Sequence, residues 1–395
     1  MGDTIRSLAT TLAIQALVSM AVLTLPVLAP TLSLDTGIPA AYVGVFIALV
    51  YGASMASSLV SGGFVRRLGA IRVSQACLAL VAAGLLLAVA GSPGLFVVSA
   101  LLMGAGYGAV TPASSHILAR TTPPQAMSLV FSLKQTGVPL GGVLAGLVVP
   151  PLVGAWGWRP AIASVAGACL ATVVIAQPLR RALDADREPE RRLAVGSLLR
   201  PLHTVAVHPE LRRLAFCSFF FSSIQLCLVT YLVTYLATDL HFSLVQAGVM
   251  LSVAQAAGVV ARVAWGALAD RGRPLAVLAA LAGGMALGAL ATGGFSPAWP
   301  AALIGATCVL FGATAIGWNG VFLAEVARRA PRGQAVEATG GALSFTYLGV
   351  LVAPPVFGVA VEHGLGYPLA YVLLALPALA SGALLLRAPA AAPVH

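Results

Sequence analysis

The chain of 395 residues reads as an all-α membrane protein, with twelve transmembrane helices in two pseudo-symmetric six-helix bundles. Three observations lead there. Hydrophobic residues make up 59% of the chain and charged ones 9%, with a mean hydropathy of +0.97. A soluble fold would leave most of those apolar side chains without an interior to enter. The apolar residues fall in runs of about twenty or more, enough to cross about 30 Å of hydrocarbon at about 1.5 Å per helical residue. The runs of the first half also recur in the second, in the same order.

Taken along the chain, the spans fall near 8–32, 41–65, 73–91, 94–118, 128–153 and 160–179, and then near 213–238, 244–269, 275–293, 299–326, 336–361 and 369–386. The first run resembles a signal peptide, but it exceeds an h-region in length and has a counterpart later in the chain, so it is expected to be retained. The polar segment 180–212 separates an N-terminal bundle, 1–179, from a C-terminal bundle, 213–395, and is expected to be a cytoplasmic central loop.

The repeat is legible residue by residue. "VGVFIALVYGASMASSLVSGG" (43–63) aligns without gaps on "AGVMLSVAQAAGVVARVAWGA" (247–267), and "SLKQTGVPLGGVLAG" (132–146) on "SFTYLGVLVAPPVFG" (344–358). Both halves therefore keep one helix order and one orientation, the arrangement in which many carriers place a site between two bundles.

Charge distribution follows from the twelve spans. Nineteen arginines fall on one face and Arg159 alone on the other, while Lys134 and Arg262 lie inside spans. That asymmetry predicts cytoplasmic termini and a multi-pass protein of a bacterial-type inner membrane. It also accounts for a net charge of +10 without nucleic acid. The five cysteines sit in apolar runs with no metal-ligand spacing and read as small buried hydrophobes. No Walker loop, nucleophile constellation or metal-ligand pattern is present, so neither an enzyme nor a cofactor or metal is expected.

The short loops after the second span of each half carry a pattern. The second copy reads "GALADRGR", Gly266 to Arg273, and the first "GGFVRRLGAIR", Gly62 to Arg72, with Arg66 in place of the acid. In this the chain resembles the major facilitator superfamily, over essentially its whole length. The resemblance implies that Asp270, flanked by Arg271 and Arg273, faces the start of the fifth span near Ser128. By the same correspondence Arg66 faces the start of the eleventh span, where Glu337 stands in the place of Ser128. We expect a charge swap there, Arg66 or Arg67 pairing with Glu337 in place of a carboxylate on a helix dipole; the alternative is that Arg66 is one more arginine of the positive face and Glu337 a first-turn acid on its own helix dipole.

No acidic residue lies mid-membrane, and the fourth span lacks the arginine of the family's drug exporters, with Ala100 in that place. What remains at depth is two cations without an acid, on helices that the family architecture brings together. A charge in a span is costly enough to need a reason. Ser58 and Thr346 occupy the corresponding places in the other halves, so neither cation is a repeated scaffold residue. Arg262 shares a helix face with Gln255, and "GVVARVAWG" resembles the eighth helix of monocarboxylate carriers, in which an arginine is implicated in holding the carboxylate. The expected site is therefore Lys134 with Arg262 and Gln255, with Gln15, Gln225, Tyr51, Tyr107, Trp318, Asn319 and Tyr347 as further lining. Both cations are also long enough to snorkel to the interface.

The expected function is secondary transport of a small organic anion by alternating access. The chain would act as a monomer in the lipid bilayer, and Lys134 is the one group in the spans suited to carry a coupling proton. Two rivals stand beside it. Proton-coupled efflux of drugs or amphiphiles predicts indifference to Arg262, and a non-transporting membrane receptor predicts saturable binding without flux.

Overall fold

The computed structural model describes residues 2–123, 127–188, 190, 199–271, 273–331 and 335–387, and every regular element among them is helical. The first six crossings are α1 (Gly2–Thr36), α2 (Val43–Leu68), α3 (Ala70–Ala88), α4 (Pro93–Thr121), the pair α5 (Met127–Gln135) and α6 (Gly137–Trp156), and α7 (Trp158–Ile175). Two short helices follow, α8 (Arg180–Leu183) and α9 (Leu199–Val207). The second six are α10 (Pro209–Thr238), α11 (Leu244–Ala269), α12 (Pro274–Gly293), the pair α13 (Ala301–Ala315) and α14 (Asn319–Arg329), α15 (Ala335–Ala360) and α16 (Gly366–Leu386).

Eleven helical segments are long and apolar enough to cross a membrane. The last, Ala338–Leu386, has 49 residues, roughly 70 Å of helix, which is too long for one crossing. It reverses where His363 and Gly364 leave the helical conformation, Gly364 at φ +99°. Glycine adopts that backbone at no steric cost, so the eleventh segment supplies two crossings.

Within the first half α4 packs on α2 and α3, α7 on α3, and α6 on α1. In the second, α15 packs on α10, α16 on α12 and α13 on α11. The halves meet where α6 lies along α11 and α2 along α15. Small residues make the first of these seams: a Cβ added at Gly248 would lie 2.3 Å from the carbonyl oxygen of Gly146, and the reverse holds equally. Close backbone approach of this kind replaces the hydrophobic drive that lipid does not supply. Ser252 donates to the carbonyl of Val143 at 3.0 Å across the same seam. At the second seam the Tyr231 hydroxyl sits between the carbonyls of Ala41 and Pro354, at 2.8 and 2.7 Å. These contacts lie away from the arginine-rich face, and they seal the halves on the opposite one. There Arg159 pairs with Asp35 at 3.0 Å and lies over the Trp158 ring.

On the arginine-rich face the segment after α7 is fastened to the first half. Helix α3 opens after Gly69, φ +97°, with no capping side chain of its own. Asp184 supplies the cap from 112 and 113 residues away, accepting from the backbone N–H of Ile71 at 2.7 Å and Arg72 at 3.1 Å. Burial pushes its carboxyl up from the ordinary value, against the pull of those two donors and of Arg180. Asp186 pairs with His116 at 2.6 Å and with Arg120. Helix α9, by contrast, packs on α15 and α10 of the second half. The polar segment expected as a loop is thus anchored at its two ends to different bundles.

Candidate functional site

The site is built on two interrupted spans. Pro139 has no N–H, so the carbonyl of Gln135, four residues earlier, loses its helical partner where α5 gives way to α6. The tenth span breaks between Ala315 and Asn319, and leaves the carbonyl of Ile316 outside any helix. Arg262, on α11, takes both: Nη1 donates to Gln135 O at 3.0 Å and Nη2 to Ile316 O at 3.0 Å. Irregular backbone at membrane depth requires partners of this kind. The third nitrogen of the guanidinium, Nε, is buried and has no acceptor among the described residues.

Lys134 closes α5 and is 1% exposed. Its Nζ donates to Thr111 Oγ1 at 3.2 Å and to Gln135 Oε1 at 3.4 Å. Thr111, on α4, donates onward to Gln15 Oε1 at 3.1 Å, and Gln15 Nε2 reaches Ser19 at 3.4 Å. The tyrosines continue this belt. The Tyr107 hydroxyl lies beside Ser19 and Tyr51 and within Coulombic reach of Arg262, with the Tyr51 and Tyr107 rings edge-on at 5.6 Å. Tyr347, from α15, is within Coulombic reach of Tyr107. Lys134, Arg262, Gln15, Tyr51, Tyr107 and Tyr347 are therefore brought together from six helices. Neither cation has an ion pair among the described residues, and each is held by neutral oxygens alone.

Gln255 packs into the α6–α11 seam, where a Cβ at Gly142 would fall 2.1 Å from its Nε2. It is buried in the contact between the halves, above Arg262 on the same helix. Gln225, Trp318 and Asn319 form a separate group inside the second half. Gln225 Oε1 accepts from Trp318 Nε1 at 2.9 Å and Asn319 Nδ2 at 3.4 Å. The Trp318 ring is fully buried, edge-on to Phe221 and Phe322. Gln15 and Gln225 thus play one part in the two halves: each opens its bundle and accepts from that bundle's fourth span.

Among the residues read as gates, Asp270 ends α11, exposed and without an ion pair among the described residues, and Arg271 and Arg273 are exposed. Arg66 and Arg67 are exposed at the end of α2. The side chains of Ser128 and Glu337 lie outside the described residues, and so does the expected swap. Glu325 pairs with Arg328 and Arg329 of its own helix, and Arg329 extends to Glu210 on α10 at 2.7 Å.

Sequence reading missed Thr111, Gln135, Ser19 and Asp184. Pro139 at four residues from Gln135 was a usable signal for one of them, and the missing cap at the start of α3 for another. The partners of Thr111 and Asp184, and the arginine that meets the Gln135 carbonyl, lie on distant segments, which spacing cannot reveal.

A twelve-crossing bundle in two like halves, sealed on one face and holding between them a polar belt with no acid among the described residues, is the architecture in which many membrane carriers place a site. The chain belongs to the Major Facilitator Superfamily, whose profile matches residues 11–354. Two strains of Mycobacterium tuberculosis have uncharacterised transporters of this type that are 29% identical over 189 residues, 46% of this chain and 40% of theirs. The match thus spans two fifths of the length of those relatives. Among solved structures, the nucleoside transporter NupG superposes with a TM-score of 0.78 at 15% identity, covering 96% of this chain and 99% of its own. A bacterial homologue of the human lysosomal transporter Spinster, inward-facing and unoccupied, gives 0.72 at 15% identity over 97% and 95%. The human organic anion transporter TETRAN gives 0.65 at 20% over 97% and 99%. At these identities the likeness is one of fold.

Proposed function

We propose that the protein is a secondary transporter of small organic anions, moving a carboxylate-bearing substrate past Arg262 and Lys134. The observation that carries this reading is a pair of cations, both meeting at Gln135, with no carboxylate to neutralise them. An ionised side chain in a membrane span costs about 3 kcal/mol or more, and a structural role would be served as well by neutral donors. A substrate anion supplies the missing counter-charge. Arginine offers a fork that fits a planar carboxylate, and lysine adds a compact charge. The Tyr51, Tyr107 and Tyr347 hydroxyls add neutral donors around it.

The arginine-rich face is taken as cytoplasmic by the charge rule. With the opposite face sealed at Gly146–Gly248 and Tyr231, substrate would exchange with the cytoplasmic side in this state. Lys134 is the candidate carrier of a coupling proton, since no acid lies beside the pair among the described residues. Counterflow in proteoliposomes with labelled lactate, benzoate, succinate and a lipophilic cation tests the reading. Accumulation of one or more carboxylates and none of the cation supports it. Cation flux that persists in Arg262→Ala would instead favour efflux.

A further inference from the structure

Arg262 ties the two halves together through carbonyls that should not have been available. In an unbroken helix the carbonyl of Gln135 would accept from residue 139, and the proline there forbids it. The guanidinium takes up that orphan from across the seam, 127 residues on in sequence. Its other terminal nitrogen binds Ile316 at the break of the tenth span, in its own half. Trp265, one turn further along α11, donates to Ala313 O at 3.0 Å and fixes α11 to the same break. One side chain thus spans α11, the broken fifth span of the first half and the broken tenth span of the second.

From this geometry we infer that Pro139 sets the anion affinity of the site, because the Gln135 carbonyl that it frees competes with the substrate for Arg262. The inference rests on the anion reading above and adds its regulation. Without substrate, Arg262 Nη1 is held by Gln135, and the fifth span is held to the eighth. A bound carboxylate is a stronger acceptor than a neutral carbonyl. It draws Nη1 off Gln135 when it takes the end-on fork of the two terminal nitrogens. The Gln135 carbonyl is then left without a partner, and the hold between α5 and α11 on the arginine-rich face is released. Substrate occupancy and the freedom of the two halves to move are linked through one hydrogen bond. The cost of breaking that bond is deducted from every binding event, as for any ligand that must displace an internal competitor.

A second proline in α6 supplies the control. Pro151 frees the carbonyl of Leu147, whose side chain is exposed and which lies twelve residues, roughly 18 Å of helix, beyond Gln135. Pro139→Ala restores the N–H that satisfies Gln135 within its own helix and leaves Arg262, Lys134 and the tyrosines untouched. Pro151→Ala makes the same chemical change elsewhere.

The test is equilibrium binding of lactate, benzoate and succinate to the full-length purified protein and to the two variants. Thermal unfolding of each variant establishes that it is folded. The expected result is tighter binding in Pro139→Ala, by about threefold to tenfold for loss of one charge-assisted competitor, with no change in Pro151→Ala. Unchanged affinity in a folded Pro139→Ala would overturn the inference, as would equal tightening in both variants. If the wild type binds none of the anions, the anion reading itself falls and takes the inference with it. If Pro139→Ala unfolds, Pro139→Ser, which also restores the N–H, must show the same tightening or the inference fails.

Discussion

Lys134 and Arg262 meet at one residue, Gln135, the lysine through the side-chain oxygen at 3.4 Å and the arginine through the main-chain carbonyl at 3.0 Å. The two cations come from opposite halves of the molecule, and no acid stands between them. On the proposed reading, this pair, Lys134 buried and Arg262 partly buried, awaits an anion, and each consequence can be measured.

Removing the lysine should separate function from stability. In Lys134→Met a flexible apolar chain of similar length replaces an amine that is buried without an ionic partner, and such replacements are neutral or stabilising. Thermal unfolding is expected at the wild-type temperature or about 2 °C higher. Counterflow of carboxylates should fall at least about tenfold. A destabilised protein that transports normally would mean that Lys134 is structural.

Tyr107 is the hydroxyl of the belt within Coulombic reach of Arg262. Tyr107→Phe keeps the ring against Tyr51 and removes one neutral donor, worth about 1 kcal/mol. The KM for carboxylate counterflow should rise about fivefold with little change in maximal rate. A loss of maximal rate at constant KM would place Tyr107 in the conformational step.

The α6–α11 seam closes one face of the molecule because two glycines let the backbones touch. Gly248→Ala sets a methyl 2.3 Å from the Gly146 carbonyl. That clash is expected to cost about 1–3 kcal/mol of the sealed state. Cysteine accessibility near residues 143 and 252 should increase in the variant, and unchanged labelling would show that the seam has room to spare.

Asp184 caps α3 through two backbone donors, a contact worth about 1 kcal/mol. Asp184→Ala is expected to lower the unfolding temperature by about 2–4 °C. Burial raises this carboxyl's pKa in the folded state. Its contribution is therefore largest at low pH and declines as pH climbs from the ordinary carboxylate range through the raised value. The gap between wild type and variant should narrow along that climb, and a gap that widens would contradict the assignment.

Much of this was legible in the sequence because membrane folding leaves few options. Twenty-residue apolar runs, the arginine asymmetry and the repeat around Gly44 and Gly248 fix the spans and their two-half order. Lys134 and Arg262 stood out for the same reason, as charges where lipid tolerates few. What could not be read was which neutral groups would face them. Tyr51 and Tyr347 gather around Tyr107, which is within Coulombic reach of Arg262, while Trp318 and Asn319, which looked equally suitable, turn into the second half to meet Gln225. The difference is a matter of helix rotation, to which hydropathy is blind. Asp184 is one acid of the polar segment 180–212, and its partners lie more than a hundred residues upstream, where spacing does not point.

The central claim is that an anion is held by Arg262. Direct binding of labelled lactate, benzoate and succinate to purified wild type, Arg262→Lys and Arg262→Ala tests it most simply. The account predicts saturable binding of one or more of these by the wild type, weakened about tenfold in Arg262→Lys, where the fork is lost, and abolished in Arg262→Ala. Equal affinity in all three proteins, each folded, would contradict it.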